Sequence, residues 1–157
     1  MNNLYVKMAI GAVVCLVIGG LSGLATASSI DTWFTTINKP SWNPPNWIFG
    51  PMWTTLYILM GCAAGIIWHQ GWDKRVVKSA LFIFAAQLML NALWSILFFG
   101  MQNPTIAFVE IVVLLILIGL TAKRFHAIKP IAGYLMIPYL LWVAFATFLN
   151  FTIMNLN

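Results

Sequence analysis

Apolar residues fill five long runs, at roughly 5–27, 46–69, 77–100, 105–125 and 130–153, and polar residues gather in the stretches between them. A helix needs about 20 predominantly apolar residues to cross a bilayer core, and each run meets that length. Because hydrocarbon offers the backbone no hydrogen-bond partner, each run must satisfy its own N–H and C=O groups, as a helix does. The pattern predicts an all-α bundle of five transmembrane helices, with 1–157 forming one membrane domain. The first run has a second reading as a secretory signal, since Lys7 precedes an apolar stretch that ends Ala25-Thr26-Ala27, a small-residue cleavage pattern. Against that stands its length and a small residue at every fourth position: Gly11, Cys15, Gly19, Gly23 and Ala27. Such a stripe lets another helix approach closely.

The connector between the first two runs is unlike the others. From Asn38 to Trp53 the chain carries four prolines and three tryptophans. Each proline lacks an N–H and restricts the residue before it, so a shaped loop is expected where the connector enters the second helix. Tryptophan, with one large apolar face and one N–H, suits the water–lipid boundary or a ligand wall.

Composition strengthens the membrane assignment. The chain is 62% hydrophobic and 7% charged, against about 25% charged in ordinary soluble domains. Eight basic residues against three acidic ones give a net charge of +5, and in so apolar a chain they mark a side of the membrane; no nucleic-acid partner is expected. With five crossings, Lys7, Lys74, Arg75, Lys78, Lys123, Arg124 and Lys129 share one side and Lys39 stands on the other. The positive-inside rule then places the N-terminus in the cytoplasm and the C-terminus and the 28–45 connector outside. Cys15 and Cys62 lie within apolar runs and are expected to be free thiols.

Helical periodicity aligns Trp53, Tyr57, Met60 and Ala64 on the second helix, and Gln87, Asn91, Trp94 and Phe98 on the third. Tyr139, Trp142, Ala146 and Asn150 align on the fifth. An amide in hydrocarbon needs a partner, so these faces should point into the bundle. Alternating helix direction puts Trp53, Trp94, Phe98, Glu110, Trp142 and Asn150 in the outer part of the membrane, beneath the Trp/Pro connector. Gln87, Asn91 and Asn150 read either as interhelical glue or, with the aromatic and small residues beside them, as part of a ligand pocket. Glu110 is the one acidic residue well inside an apolar run, which makes it a functional candidate; it also lies near a helix start, where the helix dipole favours it. Pro138 should bend the fifth helix, whereas Pro130 suits its start.

Other tryptophans read differently. Trp68 and Trp72 suit interface anchoring, and Trp33, Trp42 and Trp47 suit packing, a belt or a lid within the connector. His69 and His126 fall at the basic boundary, away from the connector. No metal-ligand spacing, phosphate-binding glycine loop or nucleophile–histidine pair stands out.

Three blocks carry a resemblance. Lys39-Pro40-Ser41-Trp42-Asn43-Pro44-Pro45 followed by Trp53-Thr54-Thr55-Leu56-Tyr57 is the first. The second runs from Gln87 through Asn91, Trp94 and Phe98 to Gly100, and the third from Pro138-Tyr139 through Trp142 and Ala146 to Leu149-Asn150. In this order they resemble the translocator protein family, the tryptophan-rich sensory proteins once called peripheral benzodiazepine receptors. The resemblance implies a retained first helix, a homodimer, and binding of porphyrins such as protoporphyrin IX and of isoquinoline carboxamide or benzodiazepine-type drugs; a porphyrin is then ligand rather than obligatory cofactor. It implies ligand contacts at Phe49, Met52, Trp53, Ile106, Trp142, Ala146 and Leu149. To these the helix faces add Tyr57, Asn91, Trp94 and Glu110. A tetrapyrrole sensor or regulator is the expected function. The alternatives are a porphyrin transporter or chaperone, and a catalyst of light- and oxygen-dependent porphyrin breakdown in which Trp53 and Trp142 act as redox partners. Two departures from relatives bear on function: Leu149 is followed by Phe151 with no basic residue after it, which breaks the cholesterol-recognition pattern, and Phe82 and Ala86 replace a Gly-xxx-Gly pair on the third helix.

Overall fold

The computed structural model describes residues 2–157, and its helices follow the apolar runs. Helix α1 spans Leu4–Asp31, a four-residue helix α2 spans Trp33–Thr36, and α3 spans Asn46–His69. Helix α4 spans Arg75–Ser95 and continues as a π-helical turn over Ile96–Gly100; α5 spans Pro104–Ile128 and α6 spans Pro130–Leu156. Apart from α2, each helix is long and apolar enough to cross a membrane, α4 together with its π turn. The fold is therefore the expected five-span, all-α membrane bundle.

Local chemistry sets the ends. The Asn3 side chain accepts from the Tyr5 N–H at 2.9 Å to open α1, and Asn103 accepts from the Ile106 N–H at 3.1 Å with Pro104 in the first helical turn of α5. Both satisfy donors that a helix start leaves without partners. Pro130 opens α6. Gly71 turns the chain from α3 to α4 with φ 122°, a conformation open to glycine.

The connector is less loop-like than its composition suggests. Trp33 begins α2 and Trp47 lies in the first turn of α3, so of the three connector tryptophans Trp42 alone stays outside a helix. Pro51 sits inside α3, where it withholds the one N–H that would otherwise reach the Trp47 carbonyl. Asn38 is clasped by the end of α6: its N–H donates to Asn157 Oδ1 at 3.0 Å, and Asn157 Nδ2 donates back to the Asn38 carbonyl at 2.9 Å. Lys39 turns inward, donating from Nζ to the Phe34 and Ile37 carbonyls and standing 4.8 Å from the Phe34 ring centroid.

Around the bundle the spanning helices follow the order α1, α3, α6, α5, α4 and back to α1. Alternating direction gives it a basic end, which holds Lys7, Lys78 and Lys123, and a connector end, which holds α2 and Lys39. Because lipid tails are as apolar as leucine, close packing must hold such helices together, and α1 and α3 show it near the basic end. A Cβ on Gly61 would stand 2.5 Å from Ala12 Cα, and one on Gly65 would stand 2.5 Å from Met8 Cα. Met60, Ile67, Ile118, Met136 and Tyr139 fill the buried centre.

Candidate functional site

Toward the connector end the bundle opens into a cavity of about 370 Å³, within the range of small-molecule sites. Helix α3 contributes Phe49, Trp53 and Tyr57, α4 contributes Trp94, and α6 contributes Trp142, Ala146 and Leu149. These positions share faces by helical spacing, and the alternating directions of α3, α4 and α6 bring them to one depth. The π turn adds to the wall: Met101 N–H reaches back five residues to the Ile96 carbonyl at 2.7 Å, and within that widened turn both Phe98 and Phe99 line the cavity.

Aromatic rings fix one another around this space. Trp53 and Trp142 meet edge to face at 6.5 Å and 87°, Phe49 meets Trp142 at 6.1 Å, and Trp53 stacks on Tyr57 at 5.6 Å. Trp94 stacks on Phe98 at 5.1 Å. Such pairs are worth about 0.5–1.5 kcal/mol beyond the area they bury, so the wall is largely preformed.

A hydrogen-bonded floor lies beneath it. Tyr57 Oη donates to Asn91 Oδ1 at 2.6 Å, Asn91 Nδ2 donates to Tyr139 Oη at 2.9 Å, and Tyr139 Oη donates to Gln87 Oε1 at 2.7 Å. Three helices, α3, α4 and α6, are thereby tied at one level. Higher up, Trp94 Nε1 donates to Asn150 Oδ1 at 3.0 Å and Asn150 Nδ2 to the Pro104 carbonyl at 2.8 Å. Gln87 and Asn91 therefore serve as interhelical glue, whereas Asn150 both ties α4 and α5 to α6 and lines the cavity beside the aromatic and small residues of these faces. Trp142 Nε1 differs: it is buried with no protein partner.

The fourth wall is α1, through Leu16, Gly19, Ser22, Gly23, Thr26 and Ile30. Ser22 and Thr26 donate their hydroxyls to carbonyls of their own helix, Gly19 at 3.0 Å and Ser22 at 2.9 Å, which leaves a mainly apolar surface. A Cβ built on Gly20, Gly23 or Gly50 would meet nothing within 4 Å. These exposed positions on α1 and α3, with Thr54, edge a mouth that opens sideways between the two helices. Among the described residues, the lining holds no carboxylate, imidazole, thiol, ammonium or guanidinium group.

Seven of the expected site residues thus meet at the cavity: Phe49, Trp53, Tyr57, Trp94, Trp142, Ala146 and Leu149. Four do not line it. Asn91 is buried behind Tyr57 as part of the floor, and Met52, on α3, packs half-buried against the core. Ile106 and Glu110 stand on α5, which contributes no lining residue. Ile106 is 46% exposed on the outer surface, and the two carboxyl oxygens of Glu110 are buried without a hydrogen-bond partner. The contribution of α1 escaped the sequence as a wall, although the small-residue stripe that carries it was visible as a packing surface.

Known proteins share this arrangement of sequence. The chain is 45% identical over 157 residues to the "Tryptophan-rich protein TspO" of Chlorobaculum tepidum, covering 100% of this chain and 99% of that one. It is 40% identical over 132 residues to the "Tryptophan-rich sensory protein" of Cereibacter sphaeroides, covering 81% of this chain and 78% of the relative. With the human "Translocator protein" the identity is 35% over 127 residues, covering 80% and 75% of the two chains. The model of the TspO/MBR family matches residues 11–156, and with five apolar spans on the same residues, this chain belongs to the TspO/MBR family of integral, multi-pass membrane proteins.

Proposed function

We propose that the cavity binds a tetrapyrrole, with protoporphyrin IX as the first compound to test, and that the protein acts as a membrane sensor or regulator of such ligands. The observation that carries this reading is the convergence of Trp53, Trp94, Trp142, Phe49 and Tyr57 on one apolar space. A broad flat ring system recovers apolar area and ring geometry against indole faces. Because the lining lacks ionised groups, the carboxylates of a porphyrin stay at the mouth or beneath the connector while its ring enters. A mouth between α1 and α3 suits a ligand that arrives from the bilayer. Isoquinoline carboxamide and benzodiazepine-type drugs suit the same walls, being flat and mostly apolar. The functional unit in this reading is a homodimer in a lipid bilayer, with the N-terminus cytoplasmic and the connector outside.

Tryptophan-fluorescence titration with protoporphyrin IX in the dark, corrected for inner-filter effects, tests the site. Saturable quenching is expected for the wild type and for a Trp72→Phe control, and weaker quenching for Trp142→Phe. Equal or non-saturable quenching in all three would mean partition into the micelle.

A second reading, light- and oxygen-dependent breakdown of the bound porphyrin, draws support from the 6.5 Å approach of Trp53 to Trp142. Both indoles would then stand beside an excited ring as redox partners. A defined product that disappears in Trp53→Phe and Trp142→Phe while binding survives would favour it; unchanged conversion would remove it. Transport is the less favoured reading, because the Tyr57–Asn91–Tyr139–Gln87 floor and the packed centre below it oppose a passage to the basic end. Protein-dependent porphyrin flux into sealed vesicles would overturn that preference.

A further inference from the structure

The ring contacts that build the cavity wall continue beyond it. Trp53 meets Trp142 at 6.5 Å, Trp142 meets Phe145 at 5.5 Å, and Phe145 meets Trp42 at 5.9 Å. Trp42 in turn stacks on Phe148 at 5.2 Å, with 14° between the ring planes, which fixes its orientation. Trp53, Trp142 and Phe145 line the cavity, whereas Trp42 lies in the connector and is 42% exposed. An unbroken row of aromatic rings therefore runs from the cavity to the surface at the connector end.

The two ends of the row differ in what surrounds the indole. Its N–H is a donor only, and Trp142 Nε1 is buried with no partner among the described residues. A Trp142 ring that has lost an electron therefore has no base to take its proton and remains a cation. The lining offers that cation no carboxylate among the described residues, and an unpaired charge in apolar surroundings is costly. At the exposed Trp42, water solvates the cation and accepts the proton. An electron vacancy formed at Trp142 thus runs downhill to Trp42 and is trapped there once the proton leaves. The other aromatic contacts lead elsewhere. Trp94 continues through Phe98 to Trp33, but Trp94 Nε1 is already bonded to Asn150 and Trp33 is half-buried. Trp53 stacks on Tyr57, whose hydroxyl donates to the amide oxygen of Asn91, which is no base.

We infer that the row Trp142–Phe145–Trp42 is an electron path from the connector surface to an oxidised ligand in the cavity, with Trp42 as its entry point. The inference rests on the reading that the cavity takes a light-absorbing tetrapyrrole. The excited ring gives one electron to an acceptor such as dioxygen and becomes a radical cation. Trp142 returns one electron to the ring, and Trp42 returns one to Trp142. Trp42 then releases its Nε1 proton to water and is left as a neutral indolyl radical. A reductant of the aqueous phase, of the ascorbate or thiol class, supplies one hydrogen atom and restores Trp42. Phe145 holds no vacancy of its own; its ring fills the gap between the two indoles.

Illumination of the full chain with protoporphyrin IX tests this, under argon and with an irreversible cobalt(III) ammine as acceptor, so that no singlet oxygen forms. Fluorescence titration in the dark first establishes saturable binding for the wild type and each variant. Electron paramagnetic resonance of samples frozen under light should show a neutral tryptophan radical in the wild type that ascorbate discharges. Trp42→Phe should lose that ascorbate-sensitive signal and leave a cation radical on Trp142 or Trp53. Trp42→Tyr should regain an ascorbate-sensitive radical, now with the tyrosyl line shape, an outcome that a packing role for Trp42 does not predict. Trp47→Phe removes an indole of the same end that is 74% exposed and outside the row, and should match the wild type. Saturable dark binding with no tryptophan radical in the wild type, with the same radical in Trp42→Phe, or with Trp42→Tyr behaving as Trp42→Phe, would overturn the path and leave the cavity reading intact. Non-saturable quenching in the dark would remove the cavity reading, and the path with it.

Discussion

Helix α1 treats its neighbour α3 in opposite ways at its two ends. Near Lys7 and Gly11 the helices touch backbone to backbone, and Gly61 and Gly65 have no room for a methyl group. Near Gly20 and Gly23, which are exposed at the mouth, a Cβ would meet nothing within 4 Å. Small residues recur along both halves, yet one half makes a joint and the other makes a wall. What differs is the opposing surface: glycines on α3 in the joint, the Trp53 and Tyr57 rings in the wall. A stripe of small residues thus brings two backbones together where the partner is also small, whereas at Gly19 it makes room for the Tyr57 ring, which a Cβ there would overlap.

Substitutions can break this comparison. The largest effect is expected from Gly65→Ala, whose methyl group would collide with the Lys7–Met8 backbone; overpacking of this kind costs about 1–3 kcal/mol, read as lost stability in a reversible unfolding titration from mild detergent. Next is Asn91→Leu, which removes the centre of the floor and leaves Tyr57 without its acceptor. We expect a loss of about 1–2 kcal/mol from two interhelical bonds, and a double-mutant cycle with Tyr139→Phe should be non-additive. Gly23→Ala should act in the opposite direction to Gly65→Ala, stabilising by about 0.5–1 kcal/mol because alanine is the better helix residue and space is free. If both glycine changes destabilise, the contrast between joint and wall is wrong. The smallest effect belongs to Asn157→Ala, which releases the clasp on the connector at a cost of about 0.5 kcal/mol. Faster hydrogen exchange at the Asn38 amide, with α3 amides unchanged, would register it.

Much of this molecule was legible before its coordinates. The five runs gave five spans because hydrocarbon leaves the backbone no alternative, and the 46–69 run coincides with α3. Alternating direction correctly gathered Trp53, Trp94, Trp142 and Asn150 at one depth. Depth, however, says nothing about which helices are neighbours. Ile106 and Glu110 share the level of the cavity but stand on α5, which packs behind α4 and α6. In a soluble protein an amphipathic pattern would have oriented that helix; in lipid both faces of α5 are apolar and the signal is lost. The π turn was illegible as well, since no residue type in Ile96–Gly100 marks an extra residue in one turn, although the turn packs against α1 and α5.

The inward turn of Lys39 has a practical consequence for topology. An amine-reactive label that cannot cross membranes would find the Lys39 ammonium engaged by two backbone carbonyls and covering the Phe34 ring. On the opposite surface Lys74, Lys78, Lys123 and Lys129 are exposed. Labelling intact cells and then inverted vesicles should therefore behave as a nearly binary reporter: one preparation stays almost unlabelled, the other takes up several groups, and the difference assigns each end to its compartment without any engineered tag.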